Sequence, residues 1–240
     1  TYGTATAIPD LTRTGYVFNG WLVNGVGAAQ TGLTLGAEDY TGAIALTAAW
    51  MAERYPITYA GMDGAQPGGK QPTEYAYDTD TAVSDPTKAG YTFLGWVVNG
   101  SGTAQKALTL AKESYTGAIT LTATWKQNPY TITWMVNEGG TINETLEYSK
   151  TAFFGEAITA PTVTAKDGYT FGGWYTDGSN FAEHTKFNNG DKMPEGDVTY
   201  YAKWTPSVYD ITYGNVPNGS FGDAAQPEKH TYGTATAIPD

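Results

Sequence analysis

The pattern Gly-Tyr-x-Phe-x-Gly-Trp occurs three times in this chain, at residues 15–21, 90–96 and 168–174. A pattern that returns at long, nearly even spacing belongs to an array of similar units rather than to one large body. The positions of the leading glycines, Gly15, Gly90 and Gly168, fix the length of the unit. It is small enough that its core is near the lower limit for independent stability. Each copy is followed by an alternating apolar run that ends in tryptophan, at Trp50, Trp125 and Trp204.

Short runs of Thr, Val, Ile, Tyr and Trp broken by Gly, Asn, Asp and Pro predict a mainly β fold with no long helix. Opening strands are expected at 55–59, 130–134 and 209–213, with a second strand near 74–77 and 146–148. Next comes the central Gly-Tyr-x-Phe-x-Gly-Trp strand. Tight turns follow at Asn24-Gly25, Asn99-Gly100 and Asp177-Gly178, because Asn or Asp before Gly readily takes positive φ. Leu33 to Leu35 and Leu108 to Leu110 read as short strands, and residues 111–115 as at most a helical turn.

Cutting before each opening strand yields complete repeats at 55–128 and 129–207 and partial ones at both ends. Residues 1–54 lack the opening strand, and 208–240 carry the opening strands of a next unit. The decapeptide of residues 1–10 recurs letter for letter at 231–240. Joining 208–240 to 11–54 makes one whole unit, intermediate in length between the two complete repeats. These matches predict a longer array in which a set of three units recurs with the period that separates Thr1 from Thr231. They also predict that such chains associate head to tail, the opening strand of one copy completing the partial repeat of the next.

The net charge is −11, from 24 acidic against 13 basic residues. That sign disfavours nucleic acid and anionic membrane surfaces as partners. No run approaches the roughly 18 to 20 apolar residues needed to cross a bilayer, so no membrane insertion is expected. The absence of cysteine removes disulfides, thiolate chemistry and cysteine-held zinc. A surface rich in Thr, Gly, Asn and Tyr has an extracellular character.

The third repeat places Phe154, Gly155, Glu156 and Pro161 ahead of Gly168, Tyr169, Phe171, Gly173, Trp174, Asp177 and Gly178. Gly190-Asp191 and the run from Val198 to Trp204 follow. This combination resembles the Listeria-Bacteroides repeat, the family that includes the internalin B-repeat, and the resemblance covers essentially the whole chain. It implies small β-grasp-like domains in tandem in bacterial surface or secreted proteins, serving as stalk, spacer or adhesive module without catalytic residues. The first two repeats depart from the pattern, with Leu22 to Gly25 and Val97 to Gly100 in place of the Tyr-x-Asp-Gly turn.

Twelve aromatic residues are expected to form the structural core of the repeats: Trp21, Trp50, Trp96, Trp125, Trp174, Trp204, Phe18, Phe93, Phe171, Tyr16, Tyr91 and Tyr169. Their fixed places in alternating strands favour packing over sugar stacking, whereas Tyr40, Tyr115, Tyr200 and Tyr201 could line an outer sheet face. The two histidines, His184 and His230, fall at non-equivalent positions, which argues against a repeated catalytic or metal site. The oxygen-rich segments 177–180 and 188–191 lack the spacing of a calcium loop and read as turns. No catalytic residue, metal or cofactor is expected.

The leading expectation is an elongated array of small domains in a stalk or filament of a bacterial cell-surface or secreted protein. Its partners are neighbouring repeats and further copies of itself. The alternative is a multivalent binding module for host protein or glycan, since weak sites on an array add avidity.

Overall fold

The computed structural model of the protein describes residues 3–143, 145–214 and 225–239. It divides into two compact units, residues 1–126 and 127–240. No α-helix occurs among the described residues, and the two helical turns are 3₁₀, at Asn137–Gly139 and Glu183–Thr185.

In the first unit the second repeat builds a five-stranded sheet. Its order is hairpin strand Ser101–Gln105, central strand Tyr91–Val98, closing strand Ile119–Gln127, opening strand Arg54–Ala60 and returning strand Glu74–Ala76. Opening and closing strands run parallel, with Ile57 opposite Ile119 and Tyr59 opposite Leu121. Parallel first and last strands at the middle of a mixed sheet give the β-grasp-like character, with no helix laid across the sheet among the described residues.

Period-two alternation decides which side chains go inside. Ile119, Leu121 and Ala123 are buried while Thr120 faces out. They meet Ile57, Tyr75, Val83, Phe93, Trp96, Leu108 and Leu110 in one cluster. Asn99 and Gly100, both at positive φ, turn the central strand back into its hairpin as the sequence predicts, and Asn24 and Gly25 do the same in the first repeat. The short strands Thr34–Leu35 and Thr109–Leu110 pair with Thr6–Ala7 and Thr81–Ala82.

The first repeat has a three-stranded sheet: hairpin strand Val26–Gln30, central strand Tyr16–Val23 and closing strand Leu46–Ala52. Among the described residues no opening strand lies against its closing strand, and Leu33 is its one buried hydrophobic side chain.

In the second unit the third repeat orders its strands as returning Glu147–Phe153, opening Pro129–Met135, closing Val198–Pro206 and central Tyr169–Tyr175. The parallel pair recurs, with Ile132 opposite Val198 and Trp134 opposite Tyr200. Its core centres on Trp134, which stacks on Tyr200 at 4.6 Å between ring centroids and meets Trp174 and Phe187 edge-on.

The turn expected at Asp177-Gly178 is not a two-residue hairpin. The Asp177 carboxylate accepts the backbone N–H groups of Ser179 and Asn180, which turns the chain toward Glu183–Thr185 instead of into a paired strand. Beyond this repeat, Val208–Asp210 and Lys229–Thr231 form a separate antiparallel pair, Val208 opposite Thr231 as Arg54 lies opposite Ala76.

Candidate functional site

Two features of the repeats face outward from their cores: a joint between consecutive repeats and the open edge of the first repeat.

The joint is built around the Gly-Tyr pair. Gly15 sits at φ +75° with the ring of Tyr77, from the next repeat, laid over its Cα, so a Cβ there would penetrate the ring. Glycine alone satisfies both conditions. Tyr16 and Tyr77 meet edge-on at 5.5 Å, and the Arg13 guanidinium lies 3.9 Å over the Tyr16 ring. Glu53, the residue between closing and opening strands, donates its N–H to the Gly15 carbonyl at 2.9 Å and accepts the Tyr77 N–H at 3.0 Å.

The second unit repeats this geometry at the end of its complete repeat. Ser207 donates to Gly168 at 2.8 Å and accepts from Tyr232 at 2.9 Å, while the Tyr232 ring covers Gly168 and meets Tyr169 edge-on at 5.5 Å. Two lone linker residues are therefore hydrogen-bonded on both sides, with an aromatic clasp alongside.

At the first joint the Tyr55 hydroxyl donates to the Glu53 carboxylate. This bond, followed by partial desolvation, pushes the Tyr55 phenol up to about 12, because ionising it would abolish the donor and set a phenolate beside a carboxylate.

The open edge belongs to the closing strand Leu46–Ala52 of the first repeat. In the other two repeats the matching edge carries an opening strand in parallel register. Trp96 is fully buried and Trp174 is 3% exposed, each under aromatic cover from an opening strand: Tyr59 at 5.4 Å and Trp134 at 4.9 Å. Trp21 lacks that cover and is half-buried.

The twelve expected core aromatics thus divide by environment. Phe93, Trp96 and Trp174 are buried, and Trp125, Trp204 and Phe171 pack against the cores with one flank exposed. Trp125 and Trp204 donate their indole N–H to Gly61 and Val136 carbonyls just beyond the opening strands, at 2.8 and 2.6 Å. Trp21 is half-buried where Trp96 and Trp174 are enclosed, because its repeat has no opening strand among the described residues, and Phe18 and Trp50 are half-buried like their counterparts Phe171, Trp125 and Trp204.

Tyr16, Tyr91 and Tyr169 correct the expectation of core placement. They are half-buried at the start of the central strand, where Tyr16 and Tyr169 clasp the neighbouring repeat and Tyr91 lies under the Lys88 ammonium at 4.5 Å.

The outer aromatic face does not form either. Tyr200 is 6% exposed and stacked inside a core, Tyr115 packs beside Tyr75 at 6.4 Å, Tyr201 covers Gly178, and of the four only Tyr40 is exposed. Trp134, Tyr75 and Phe187 are core residues that lie outside the repeated motif. The first lies in an alternating strand like the motif aromatics, but Phe187 has no repeat counterpart to flag it.

His184 lies in an exposed 3₁₀ turn, and the His230 Nδ1 atom is 2.9 Å from the Thr236 hydroxyl. Among the described residues no three His, Asp or Glu side chains converge as metal ligands, and no charged or polar side chain is buried. Asp177 is held below the usual carboxylate range by the N–H groups of Asn180 and Ser179, and the Asp191 carboxylate accepts from Asn188 N–H, so both oxygens shape turns. No helix among the described residues is long and apolar enough to cross a membrane.

The profile of the Listeria-Bacteroides repeat domain matches residues 1–48, 55–124 and 130–203. A protein described as a Gly-rich membrane protein of Evansella cellulosilytica is 30% identical over 227 residues, which is 88% of this chain and 24% of that protein. Internalin H of Listeria monocytogenes is 34% identical over 139 residues, 56% of this chain and 23% of internalin H. The chain spans about a quarter of the length of these relatives. With three consecutive matches and the same joint at Gly15 and Gly168, the chain belongs to the Listeria-Bacteroides repeat domain family, as a tandem-repeat region of the bacterial surface-protein type.

Proposed function

We propose that this segment acts mechanically, as a non-catalytic stalk or spacer at the cell surface that holds other parts of its protein away from their point of attachment. The observation that carries the reading is the reiterated joint. A linker of one residue, hydrogen-bonded to both neighbours and flanked by an edge-on tyrosine pair, resists bending far better than a flexible tether. A series of such joints would keep successive repeats from folding back on one another. The acidic net charge opposes collapse of the array onto itself.

Small-angle scattering tests this directly. A maximum dimension that grows in proportion to repeat number supports the stalk, and a compact particle sinks it. Binding of one isolated repeat to matrix protein or glycan would favour the multivalent adhesive reading instead.

A further inference from the structure

We propose that a cavity within the third repeat, lined by Glu138 and Lys166, binds a short peptide by its free ammonium and carboxylate ends. The site belongs to that repeat alone and is independent of the stalk reading.

The cavity lies where the chain leaves the opening strand Pro129–Met135. The 3₁₀ turn Asn137–Gly139 leads into Gly140–Thr141, which pairs antiparallel with Thr164–Ala165, Gly140 opposite Ala165 and Thr141 opposite Thr164. Lys166 follows at once, and its N–H donates to the Gly139 carbonyl at 2.9 Å. Asn137 and Asn143 bend this loop at φ +57° and +44°, left-handed values that Asn tolerates better than most residues. The space is about 670 Å³, and Glu138, Gly140, Thr141, Leu146, Thr164 and Lys166 line it. That volume is in the range of small-ligand pockets.

Comparison of the repeats sets this lysine apart. A cation two residues before the Gly-Tyr pair recurs as Arg13, Lys88 and Lys166. The first two are engaged by aromatic rings: Arg13 lies 3.9 Å over Tyr16, and Lys88 lies 4.5 Å over Tyr91 and 5.9 Å from the centroid of Trp125. The third repeat sets something else against the corresponding Trp204. Gly139 and Gly140 lie so close to its indole that a Cβ on either would penetrate the ring. Among the described residues no ring lies under the Lys166 ammonium, and neither Lys166 nor Glu138 forms an ion pair. Both charges line the cavity without neutralising each other.

That pair of charges selects the ligand. A purely anionic molecule meets Glu138 and the net charge of −11, and a purely cationic one meets Lys166. A short chain with a carboxylate at one end and an ammonium at the other satisfies both. Between them the Thr141 and Thr164 hydroxyls can donate to or accept from a peptide group, and Leu146, 55% exposed, offers apolar surface to a small side chain. Glu138 and Lys166 are exposed, so each end contributes modestly and binding falls in the millimolar range.

Nuclear magnetic resonance on the isotope-labelled 240-residue chain, titrated with the dipeptide alanyl-alanine, tests the idea. Saturable shifts are expected at the amides of Gly140, Thr141, Ala165 and Lys166. Capping either end, as the N-acetyl or the C-terminal amide form, should weaken binding about fivefold. Lys166→Gln and Glu138→Gln should each do the same, and Lys166→Gln should leave the C-terminal amide no weaker than it is on the unaltered chain. The capped peptides test the site without altering the protein. The proposal is overturned if those amides do not shift, if capped and free peptides bind alike, or if sodium acetate alone reproduces the shifts.

Discussion

Each residue of the Gly-Tyr-x-Phe-x-Gly-Trp pattern answers to a different neighbour, so substitutions along it should fail in different ways. Trp96 is enclosed by Phe93 and Tyr59, and Trp96→Ala should cost about 3 to 5 kcal/mol by denaturant unfolding. The equivalent Trp21 is half-buried, and Trp21→Ala should cost roughly half as much. Gly95, at φ +140°, lies where a Cβ would come within 2.5 Å of the Gln105 backbone. Gly95→Ala must therefore displace the hairpin strand or fail. At Gly173 the nearest atom is the movable Lys186 Cε at 3.3 Å, and Gly173→Ala should be the milder change by thermal unfolding, although its φ of +119° still strains any side chain.

At the scale of elements, the joint decides how one repeat meets the next. Gly15→Ala would drive the Tyr77 ring off its seat. Limited proteolysis should then cut faster near Glu53, and the second repeat should lose whatever stability the joint lends it. The Tyr55 to Glu53 bond gives the same joint a pH dependence of known sign. With the phenol raised from about 10 when unfolded to about 12 when folded, its stabilising effect is full below about pH 10 and is lost as pH rises through 10 to 12. Burial also raises Tyr59, Tyr75 and Tyr200, so among the late-ionising tyrosines in alkaline difference spectra one, Tyr55, should move back toward the ordinary range on Glu53→Gln.

For the molecule as a whole, the repeats are near the size at which a domain is marginal alone, so stability is shared with neighbours. An isolated second repeat, residues 54–128, should unfold at a lower temperature than the same repeat with 1–53 attached, because Tyr77 loses its cover by Gly15 and Tyr16. Calorimetry on the two lengths measures the difference, and equal melting temperatures would mean that the joint contributes nothing to stability.

Much of this was legible in the residue order, because period-two alternation and Asn-Gly turns are local signals that do not depend on what packs above them. The three-fold pattern declared repeats, alternation declared strands, and Asn24-Gly25 and Asn99-Gly100 declared hairpins. The opening strands expected from Tyr55, Tyr130 and Tyr209 begin one residue earlier, at Arg54, Pro129 and Val208. Burial was not legible in the same way. Tyr16 and Trp96 recur within one motif, yet one clasps a neighbour and the other is enclosed, since enclosure depends on a strand from elsewhere in the sequence lying alongside. The same holds for Asp177-Gly178, where a carboxylate that captures two backbone N–H groups replaces a hairpin. Repetition is written in the chain itself, whereas exposure is decided only when distant strands pair.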